Sequence, residues 1–342
     1  MPLERRSQIL FNPGPVNLDP QIKENLFNVE LCHRQPEFEE LHDRVKRRLV
    51  ALAGRSATTT ALSLLHGSGS LAVDAGLATF VRGKVLVVDN GLYCQRIART
   101  LAGLDGAEVV TCSFGVGTPF DLDAIDEALR THRPDWVATV HHETTTGILN
   151  PIDAVADLCD RHGARLFVDA VSSFGVHPVP PAAQVVCFNS AKCLESLLGV
   201  AAVLWDRELT VHPTVPILDV AAYADAMPST PNVAAIVALD VALDILASED
   251  RPARYRRLVQ AVWDAGSRNF EPLLDERDRS WVLTSFRLSG RDPDDLFATA
   301  LAHGFVIYHG QQHLRREIFR VANMGAAMSE EVIGELFDVL SP

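Results

Sequence analysis

The sequence predicts an α/β protein whose central, mostly parallel β-sheet is sandwiched by helices, followed by a smaller α+β domain. Between about residue 60 and residue 205, short apolar runs alternate with amphipathic stretches of helical spacing. This alternation is typical of strands that are buried on both faces and joined by crossover helices. The predicted strands span residues 84–89, 107–112, 136–142, 165–170, 185–190 and 200–205, and the helices between them span residues 93–104, 122–132 and 152–162.

The pattern changes after Trp205, where a proline-punctuated stretch leads into two long helix patterns at residues 233–248 and 251–270. We expect the rest of the chain to form a small α+β unit. Its predicted elements are a strand at 281–288, a helix at 293–303, strands at 305–309 and 319–323, and a helix from Ser329. The expected domains are an N-terminal segment (1–15), a large domain (16–230), and linking helices with a small C-terminal domain (231–342).

Composition and charge exclude several classes of function. The net charge of −13, from 31 basic and 44 acidic residues, argues against a surface that binds nucleic acid or anionic membranes. No apolar run reaches the roughly 18–20 residues of a membrane-spanning helix, and residues 1–14 lack the apolar core of a signal peptide. The six cysteines have no metal-binding spacing. We therefore expect a cytoplasmic protein with reduced thiols that acts on small molecules.

A glycine-rich segment at residues 66–70 (HGSGS) lies between an apolar run and a helix pattern. Small residues at a helix start let backbone N–H groups approach a phosphate. The spacing Gly67-x-Gly69-x-x-Ala72, with Asp89 about 20 residues beyond, also fits a dinucleotide-binding fingerprint. This segment alone leaves three interpretations open: a cofactor phosphate site, a nicotinamide-dependent dehydrogenase, or a packing turn without a ligand.

Asp169 lies at the end of the predicted buried strand at 165–170, and Lys192 follows the predicted strand at 185–190. The carboxyl ends of parallel strands meet at one edge of a sheet, so we expect both side chains to face the same crevice. Pyridoxal phosphate (PLP) chemistry requires a lysine that forms a Schiff base with the cofactor and a carboxylate that keeps its ring nitrogen protonated. The pair, together with a phosphate site upstream, favours a PLP enzyme over the dehydrogenase.

Seven segments of the chain resemble the class V (fold type I) aminotransferases, over nearly the whole length. The resemblance is carried by residues 11–16 (FNPGPV), 31–38 (LCHRQPEF), 66–70 (HGSGS), 90–93 (NGLY), 142–151 (HETTTGILNP), 168–175 (VDAVSSFG) and 319–325 (FRVANMG). The segments at 142–151 and 168–175 are the most specific. The resemblance implies PLP fold type I and a PLP cofactor.

The resemblance also implies roles for individual residues. The cofactor phosphate would be bound by Ser68, Gly69 and Ser70, while Tyr93 would lie against the pyridine ring. Thr144 would approach the phenolic oxygen of PLP, and Ser190 would be a further cofactor contact. Asp169 and Lys192 would be the catalytic pair. Thr230 would reach the phosphate of a neighbouring subunit, which implies a homodimer with shared active sites.

Substrate binding is expected to depend on arginines. The resemblance implies that Arg320 pairs with the carboxylate of the keto acid, a bidentate geometry that lysine cannot reproduce. Arg34 is our candidate for a second cationic contact. The implied reaction is transamination from a small amine, such as 2-aminoethylphosphonate, to pyruvate. A PLP lyase, a transaminase for a related hydroxylated aminophosphonate and a catalytically silent member of the fold remain the alternatives.

The chain departs from the family pattern near the expected cofactor site. An amide residue is usual before the lysine, but here Ala191 stands there. Residues 194–199 (LESLLG) lack the usual proline, and Cys94 replaces a glycine. The stretch between Trp205 and Thr230 looks shorter than is usual in the family and lacks the basic residues expected there. The sequence His141-His142-Glu143 is not interpreted as a metal site, because consecutive strand residues point to opposite faces.

Overall fold

The computed structural model describes residues 8–341, so part of the predicted N-terminal segment and Pro342 lie outside the described residues. A seven-stranded sheet forms the centre of the protein, with strand order β2-β10-β9-β8-β5-β3-β4. Its strands are β2 (Thr60–Gly67), β3 (Gly83–Asp89), β4 (Ala107–Ser113), β5 (Trp136–Val140), β8 (Arg165–Asp169), β9 (Val185–Asn189) and β10 (Gly199–Asp206). Three short strands lie outside this sheet: β1 (Ile9–Leu10), β6 (His142–Glu143) and β7 (Ile148–Leu149).

Six strands of this sheet run in the same direction, and β10 is antiparallel to both of its neighbours, β2 and β9. All residues of β5 and β9 are buried, as expected for strands covered on both faces. The mostly parallel α/β fold expected from the alternating pattern is therefore confirmed.

Seven helices flank this sheet, and two apolar clusters, one on each face, attach most of them to it. On one face, α2, α5, α6 and α7 pack against Leu86, Val168, Phe188 and neighbouring residues, while α3 and α4 cover the opposite face around Val87 and Phe167. The helices are α1 (Pro20–Phe27), α2 (Pro36–Leu52), α3 (Gly69–Phe80), α4 (Leu92–Ala102), α5 (Leu122–His132), α6 (Ile152–His162) and α7 (Val233–Ala247). Alternate residues of each strand point to opposite faces, which explains why one strand contributes to both clusters.

The C-terminal part of the chain forms a second layered unit. Its antiparallel sheet has the order β11-β14-β13, with β11 (Leu283–Arg287), β13 (Tyr308–His309) and β14 (Ile318–Ala322). It has an aromatic core of its own that includes Phe270, Phe286 and Phe319. The helices are α8 (Arg251–Gly266), α9 (Pro293–Ala302) and α10 (Glu330–Leu340), and β12 (Phe305–Val306) pairs with the N-terminal β1.

Most elements expected from periodicity are present, and the differences have local causes. The predicted strand at 136–142 ends at Val140, because the next residues turn into the short hairpin of β6 and β7. The strand expected at 305–309 is broken between β12 and β13, which belong to different sheets. Helix 251–270 ends at Gly266. Helices α1 and α2 were not expected; each has proline in its first turn, where it costs no hydrogen bond.

The contribution of the sheet core to stability can be measured at Phe188, which lies on the strand before Lys192. Its ring is fully buried and stacks on Phe174 with the ring centroids 3.8 Å apart. We expect Phe188→Ala to lower the free energy of unfolding by about 3–5 kcal/mol, because a buried aromatic ring is lost and a cavity remains. Urea titration measures this change. Phe27→Ala, at a phenylalanine that is 90% exposed, is the control and should change it by less than about 0.5 kcal/mol.

Candidate active site

A cavity of about 260 Å³ opens at the carboxyl ends of β8 and β9, against the N-terminus of α3. Seven of the residues predicted from the sequence line it: Ser68, Gly69, Ser70, Tyr93, Thr144, Asp169 and Lys192. The residues come from five separate segments of the chain, so only the fold brings them together. Arg34, Ser190, Thr230 and Arg320 are not among the lining residues.

The start of α3 is built to accept an anion. Ser68 is the N-cap residue in an extended conformation, and its side chain does not cap the helix. The first N–H groups of a helix have no intrahelical partner and carry partial positive charge. A Cβ atom at Gly69 would clash with the side chain of Val171, so glycine is what lets this helix start approach the loop after β8. N–H groups with two serine hydroxyls fit the phosphate of PLP.

Asp169 is the last residue of β8 and is 6% exposed. Its Oδ1 accepts a hydrogen bond of 2.9 Å from the Val171 N–H, the only protein donor to this carboxylate among residues 8–341. Burial raises the pKa of Asp169 to about 6, although the Val171 N–H and the charge of Lys192 oppose the shift. A buried carboxylate with so few donors suits a protonated pyridine nitrogen as its partner.

Lys192 lies in the turn after β9, and its side chain lines the same cavity. Nζ lies 6.0 Å from the centre of the Tyr93 ring. Gly14, whose φ of +99° favours glycine, packs on the lysine stem, and a Cβ there would lie 3.3 Å from Lys192 Cγ. The lysine thus has a packed stem and an amine that faces the cavity, as Schiff-base chemistry requires.

Tyr93 and Thr144 are held together by Glu143, a residue whose role the sequence did not indicate. This carboxylate is fully buried and accepts hydrogen bonds from the Tyr93 N–H (2.9 Å), the Thr145 N–H (3.0 Å) and the Thr145 hydroxyl. Burial raises the pKa of Glu143, and these donors offset part of that cost. A Cβ at Gly91 would clash with Glu143, so glycine at the start of α4 makes the contact possible.

Two buried histidines, His141 and His142, precede Glu143 in the sequence. His142 lines the cavity, but its Nδ1 lies 3.0 Å from the Ser172 carbonyl oxygen and its Nε2 lies 2.8 Å from Ser280 Oγ. Burial lowers the pKa of both His141 and His142 to about 3, so both rings are neutral. Across the described chain, no group of three or more His, Cys, Asp or Glu side chains is arranged to hold a metal.

Arg320 lies on β14, just behind the cavity, and is 2% exposed. Its Nε donates to the His309 carbonyl (3.0 Å) and its Nη1 to the Thr144 carbonyl (2.8 Å). No carboxylate within residues 8–341 forms an ion pair with it, and Glu143 acts on its charge only from a longer distance. The neighbouring Tyr308 ring lines the cavity, with its centre 5.7 Å from the guanidinium carbon.

The other predicted residues lie outside the cavity. Ser190 Oγ donates to the Leu197 carbonyl (2.6 Å) and accepts from the Val200 N–H (3.3 Å), so it closes the turn that follows Lys192. Arg34 and Thr230 are exposed on the surface of the single chain. A contact of either residue with a cofactor would therefore need a second copy of the protein.

Several polar residues of the cavity were missed in the sequence, among them Arg96 and Asn189. Arg96 lies one helical turn after Tyr93 on α4, and its Nη2 donates to Asp74 (2.6 Å) and to the Ser70 carbonyl (3.3 Å). The spacing of three residues from Tyr93 could have indicated it. Asn189, at the end of β9, is 6% exposed, and its Oδ1 has no hydrogen-bond partner in the described chain.

The strand order removes support for the dinucleotide interpretation of residues 67–72. A dinucleotide-binding unit needs the strands before and after the glycine-rich turn to be neighbours, but β10, β9, β8 and β5 lie between β2 and β3. Asp89 is also engaged elsewhere: its carboxylate accepts from the Gly91 N–H (2.9 Å) and the Ser113 hydroxyl (3.2 Å).

Comparisons with known proteins agree with this geometry. The class V aminotransferase family model matches residues 56–262. A 2-aminoethylphosphonate–pyruvate transaminase of Burkholderia thailandensis is 34% identical, over 97% of this chain and 95% of the relative. The relative of the same name from Burkholderia ambifaria is 35% identical, over 93% of this chain and 91% of its own.

Solved structures give the same fold. An alanine–glyoxylate aminotransferase from Nostoc sp. has a TM-score of 0.89 at 26% identity, covering 99% of this chain and 96% of the other. A pyridoxamine–pyruvate aminotransferase from Mesorhizobium loti has a TM-score of 0.87 at 24% identity, covering 98% and 94%. The fold and family expected from the sequence segments are confirmed: the chain belongs to the class V aminotransferases, a family that uses pyridoxal phosphate.

Proposed function

We propose that this enzyme transfers the amino group of a small aminophosphonate, such as 2-aminoethylphosphonate, to pyruvate. The observation that carries the proposal is that Asp169, Lys192 and the start of α3 line one cavity. The substrate pair comes from the names of the relatives that match nearly the full chain. A cavity of about 260 Å³ suits a small ligand beside the cofactor better than a polymer.

PLP, when bound, supplies an aldehyde that bonds to amines and a ring that accepts electrons from the adjacent carbon. In our proposal the Asp169 carboxylate would pair with the protonated ring nitrogen of the cofactor. Lys192 Nζ would hold the cofactor through its aldehyde carbon and would act as general base toward the carbon that bears the substrate amine. Tyr93 and Thr144 would contact the cofactor, and Glu143 keeps their backbones together.

Arg320 is proposed to bind the carboxylate of the keto acid. Two of its nitrogen atoms are fixed by carbonyl oxygens, which aims the guanidinium and reduces the entropy lost on binding. Its charge is not neutralised by a carboxylate of residues 8–341, and a buried cation without a counter-ion attracts an anion strongly. Arg34 remains our candidate for the second anionic group, reached from the surface of a neighbouring subunit.

We further propose that the protein is a homodimer with shared active sites. Thr230 and Arg34 lie outside the cavity of their own chain, so the roles proposed for them require a partner subunit. The segment before Thr230 exposes three large apolar side chains, Val211, Val215 and Ile217, with exposures of 43%, 56% and 52%. Exposed apolar residues grouped in one segment are typical of a subunit interface.

The division into domains 1–15, 16–230 and 231–342 and the cytoplasmic location are also retained as proposals. The separate aromatic core of the C-terminal unit supports the division, although β1 pairs with β12 of that unit. All six cysteines are free thiols, which suits a reducing compartment. Across residues 8–341, no helix combines the length and apolar character needed to cross a membrane.

The reaction is tested by following the cofactor absorption in each half of the cycle. With PLP the protein should show a visible band that Lys192→Ala lacks and that Lys84→Ala, a lysine at the opposite end of the sheet, retains. Adding 2-aminoethylphosphonate alone should remove the band, and pyruvate should then restore it with formation of alanine. A lyase would instead release its product without pyruvate.

The outcomes separate the parts of the proposal. A band that ignores 2-aminoethylphosphonate but responds to another amine would discard the substrate and keep the cofactor chemistry. A band that persists in Lys192→Ala would contradict the role of Lys192. Absence of any band in the wild-type protein would leave the catalytically silent alternative.

The burial of the Asp169 carboxylate lowers the free energy of unfolding of the cofactor-free protein at neutral pH. Because its pKa is raised from 3.8 to about 6, the folded protein holds this proton more tightly than the unfolded chain, and stability falls as pH rises through that window. Asp169→Asn does not titrate and can still accept from the Val171 N–H. Above pH 6 it should therefore be more stable than the wild type by roughly 1–3 kcal/mol, while losing transaminase activity.

Urea unfolding of the cofactor-free proteins at about pH 4 and pH 7 measures this difference. The gain of Asp169→Asn should be small at the lower pH, where the wild-type carboxyl is protonated in the folded state and about half protonated in the unfolded chain. The control is Asp157→Asn on the exposed face of α6. An equal effect of the two substitutions at both pH values would contradict the raised pKa.

Dimerisation is tested by sedimentation and by cofactor affinity. We expect twice the chain mass of 37.4 kDa and, for Thr230→Val, PLP affinity lower by about fivefold to tenfold, because one hydrogen bond to a charged phosphate is lost. Thr58→Val, at another exposed threonine, is the control. A monomeric enzyme with full PLP affinity would overturn both the dimer and the role of Thr230.

A further inference from the structure

The turn after Lys192 is anchored by a buried carboxylate, Glu195, to which no role has been assigned so far. Glu195 has a φ of +54°, in the left-handed region that costs non-glycine residues free energy. Its N–H donates to the Lys192 carbonyl oxygen (2.9 Å), which closes the turn around the lysine. The side chain is only 9% exposed and points away from the cavity that Lys192 faces.

Both oxygens of this carboxylate are occupied. Oε1 accepts from the Tyr255 hydroxyl (2.6 Å) and from the Gly325 N–H (2.8 Å). Oε2 accepts from Arg254 Nη2 (2.7 Å) and lies 3.6 Å from Arg251 Nη1. Burial alone would raise the pKa of Glu195, but the two arginines outweigh it and the pKa is lowered. The carboxylate is therefore ionised, and hydrogen bonds from Tyr255, Gly325 and Arg254 fix its position.

The residues that bond Glu195 also contact the backbone next to Lys192 and lie close to the strand that carries Arg320. Arg251, itself 2% exposed, also donates to the Cys193 carbonyl (2.8 Å), next to Lys192. Gly325 follows β14, the strand that carries Arg320. Glu195 thus joins the lysine turn directly to the backbone just beyond the arginine strand.

A second contact network supports the same connection. The Ala326 N–H donates to the Asn17 carbonyl (3.0 Å), and Gly325 packs so closely that a Cβ there would lie 2.9 Å from that oxygen. Asn17 belongs to the same N-terminal segment as Gly14, which packs on the stem of Lys192. The segment after β14 and the lysine are therefore tied together on two sides.

We propose that Glu195 is a positioning residue that fixes Lys192 relative to Arg320. The proposal rests on the functions proposed above for these two residues. An enzyme gains rate by holding its reacting groups at a set separation, and a displacement of about 1 Å can cost about a hundredfold in rate. Glu195 supplies that constraint because it belongs to the lysine turn, while its side chain bonds α8 and the segment after β14.

The alternative is that the cluster only stabilises the docking of α8. Glu249 allows the two to be distinguished, because it pairs with the same arginines, at Arg251 Nε and at Arg254 Nε (2.9 Å for the latter). It makes no hydrogen bond to the lysine turn or to Gly325 within the described chain. Glu195→Gln and Glu249→Gln are therefore a matched pair: each removes one negative charge from the same cations.

The first measurement is amide hydrogen exchange of the cofactor-free proteins. We expect Glu195→Gln to speed exchange in residues 190–196 and 323–326, and Glu249→Gln to leave both segments unchanged. The two variants should lower the melting temperature by similar amounts. This readout does not involve the cofactor, so it remains informative if the roles of Lys192 and Arg320 prove wrong.

The second measurement follows the appearance of the visible band after PLP is mixed with the cofactor-free protein, and then steady-state kinetics. In Glu195→Gln the band should form about tenfold more slowly, kcat should fall about tenfold or more, and KM for pyruvate should rise. In Glu249→Gln all three should stay within about twofold of the wild type. Tyr255→Phe, which removes one donor and no charge, should show the pattern of Glu195→Gln at smaller size and serves if that variant does not fold.

The proposal is overturned if Glu195→Gln lowers only the melting temperature, or if both glutamine variants change exchange and band formation equally. Changed exchange together with a normal band and normal kinetics would also overturn it, because the coupling would then not reach the active residues. Persistence of the band in Lys192→Ala would contradict the proposed role of Lys192 and not the coupling measured by exchange.

Discussion

The parallel pairing of β8 with β9 is the constraint on which the active site depends. Asp169, the last residue of β8, pairs with Cys187 of β9, and Lys192 follows the end of β9 at Asn189, so both reach the same edge of the sheet. The start of α3 faces that edge because Gly69 allows it to pack against Val171, two residues after Asp169. A shift of one residue in this register would turn Asp169 to the other face of the sheet.

The site buries three carboxylates, and the way each is satisfied indicates what it does. Glu195 is neutralised by two arginines, and Glu143 accepts backbone and hydroxyl donors at the start of α4. Asp169 has one backbone donor and a pKa raised to about 6. A buried acid that its own chain leaves so poorly compensated is suited to a cationic ligand. The contrast supports Asp169, and not its neighbours, as the partner of the cofactor ring.

Sequence patterns were sufficient where the chemistry depends on local order. Asp169 and Lys192 could be proposed because each lies at or just after the end of an apolar run predicted as a buried strand, and Ser68–Ser70 because small residues precede a helix pattern. Glu195 could not be assigned, since its partners are 59 or more residues away for Arg254, Tyr255 and Gly325. Ser190 was expected at the cofactor, but its hydroxyl closes the turn instead. Thr230 and Arg34 cannot be judged from one chain, because the contacts proposed for them lie in a dimer.

The departures around Lys192 do not weaken the case for catalysis, because the structure offers compensation for the main one. Ala191 removes an amide that is usual before the lysine, yet both Ala191 and Asn189 line the cavity, and Asn189 brings an amide whose Oδ1 has no partner among residues 8–341. A buried amide oxygen without a partner costs free energy, so its retention points to a ligand donor. The missing proline of the turn is offset in a similar way by Glu195, whose bonds hold a backbone conformation that the side chain alone would disfavour. The Asn189 amide and the bonds of Glu195 are both features expected of a chain that retains catalytic activity.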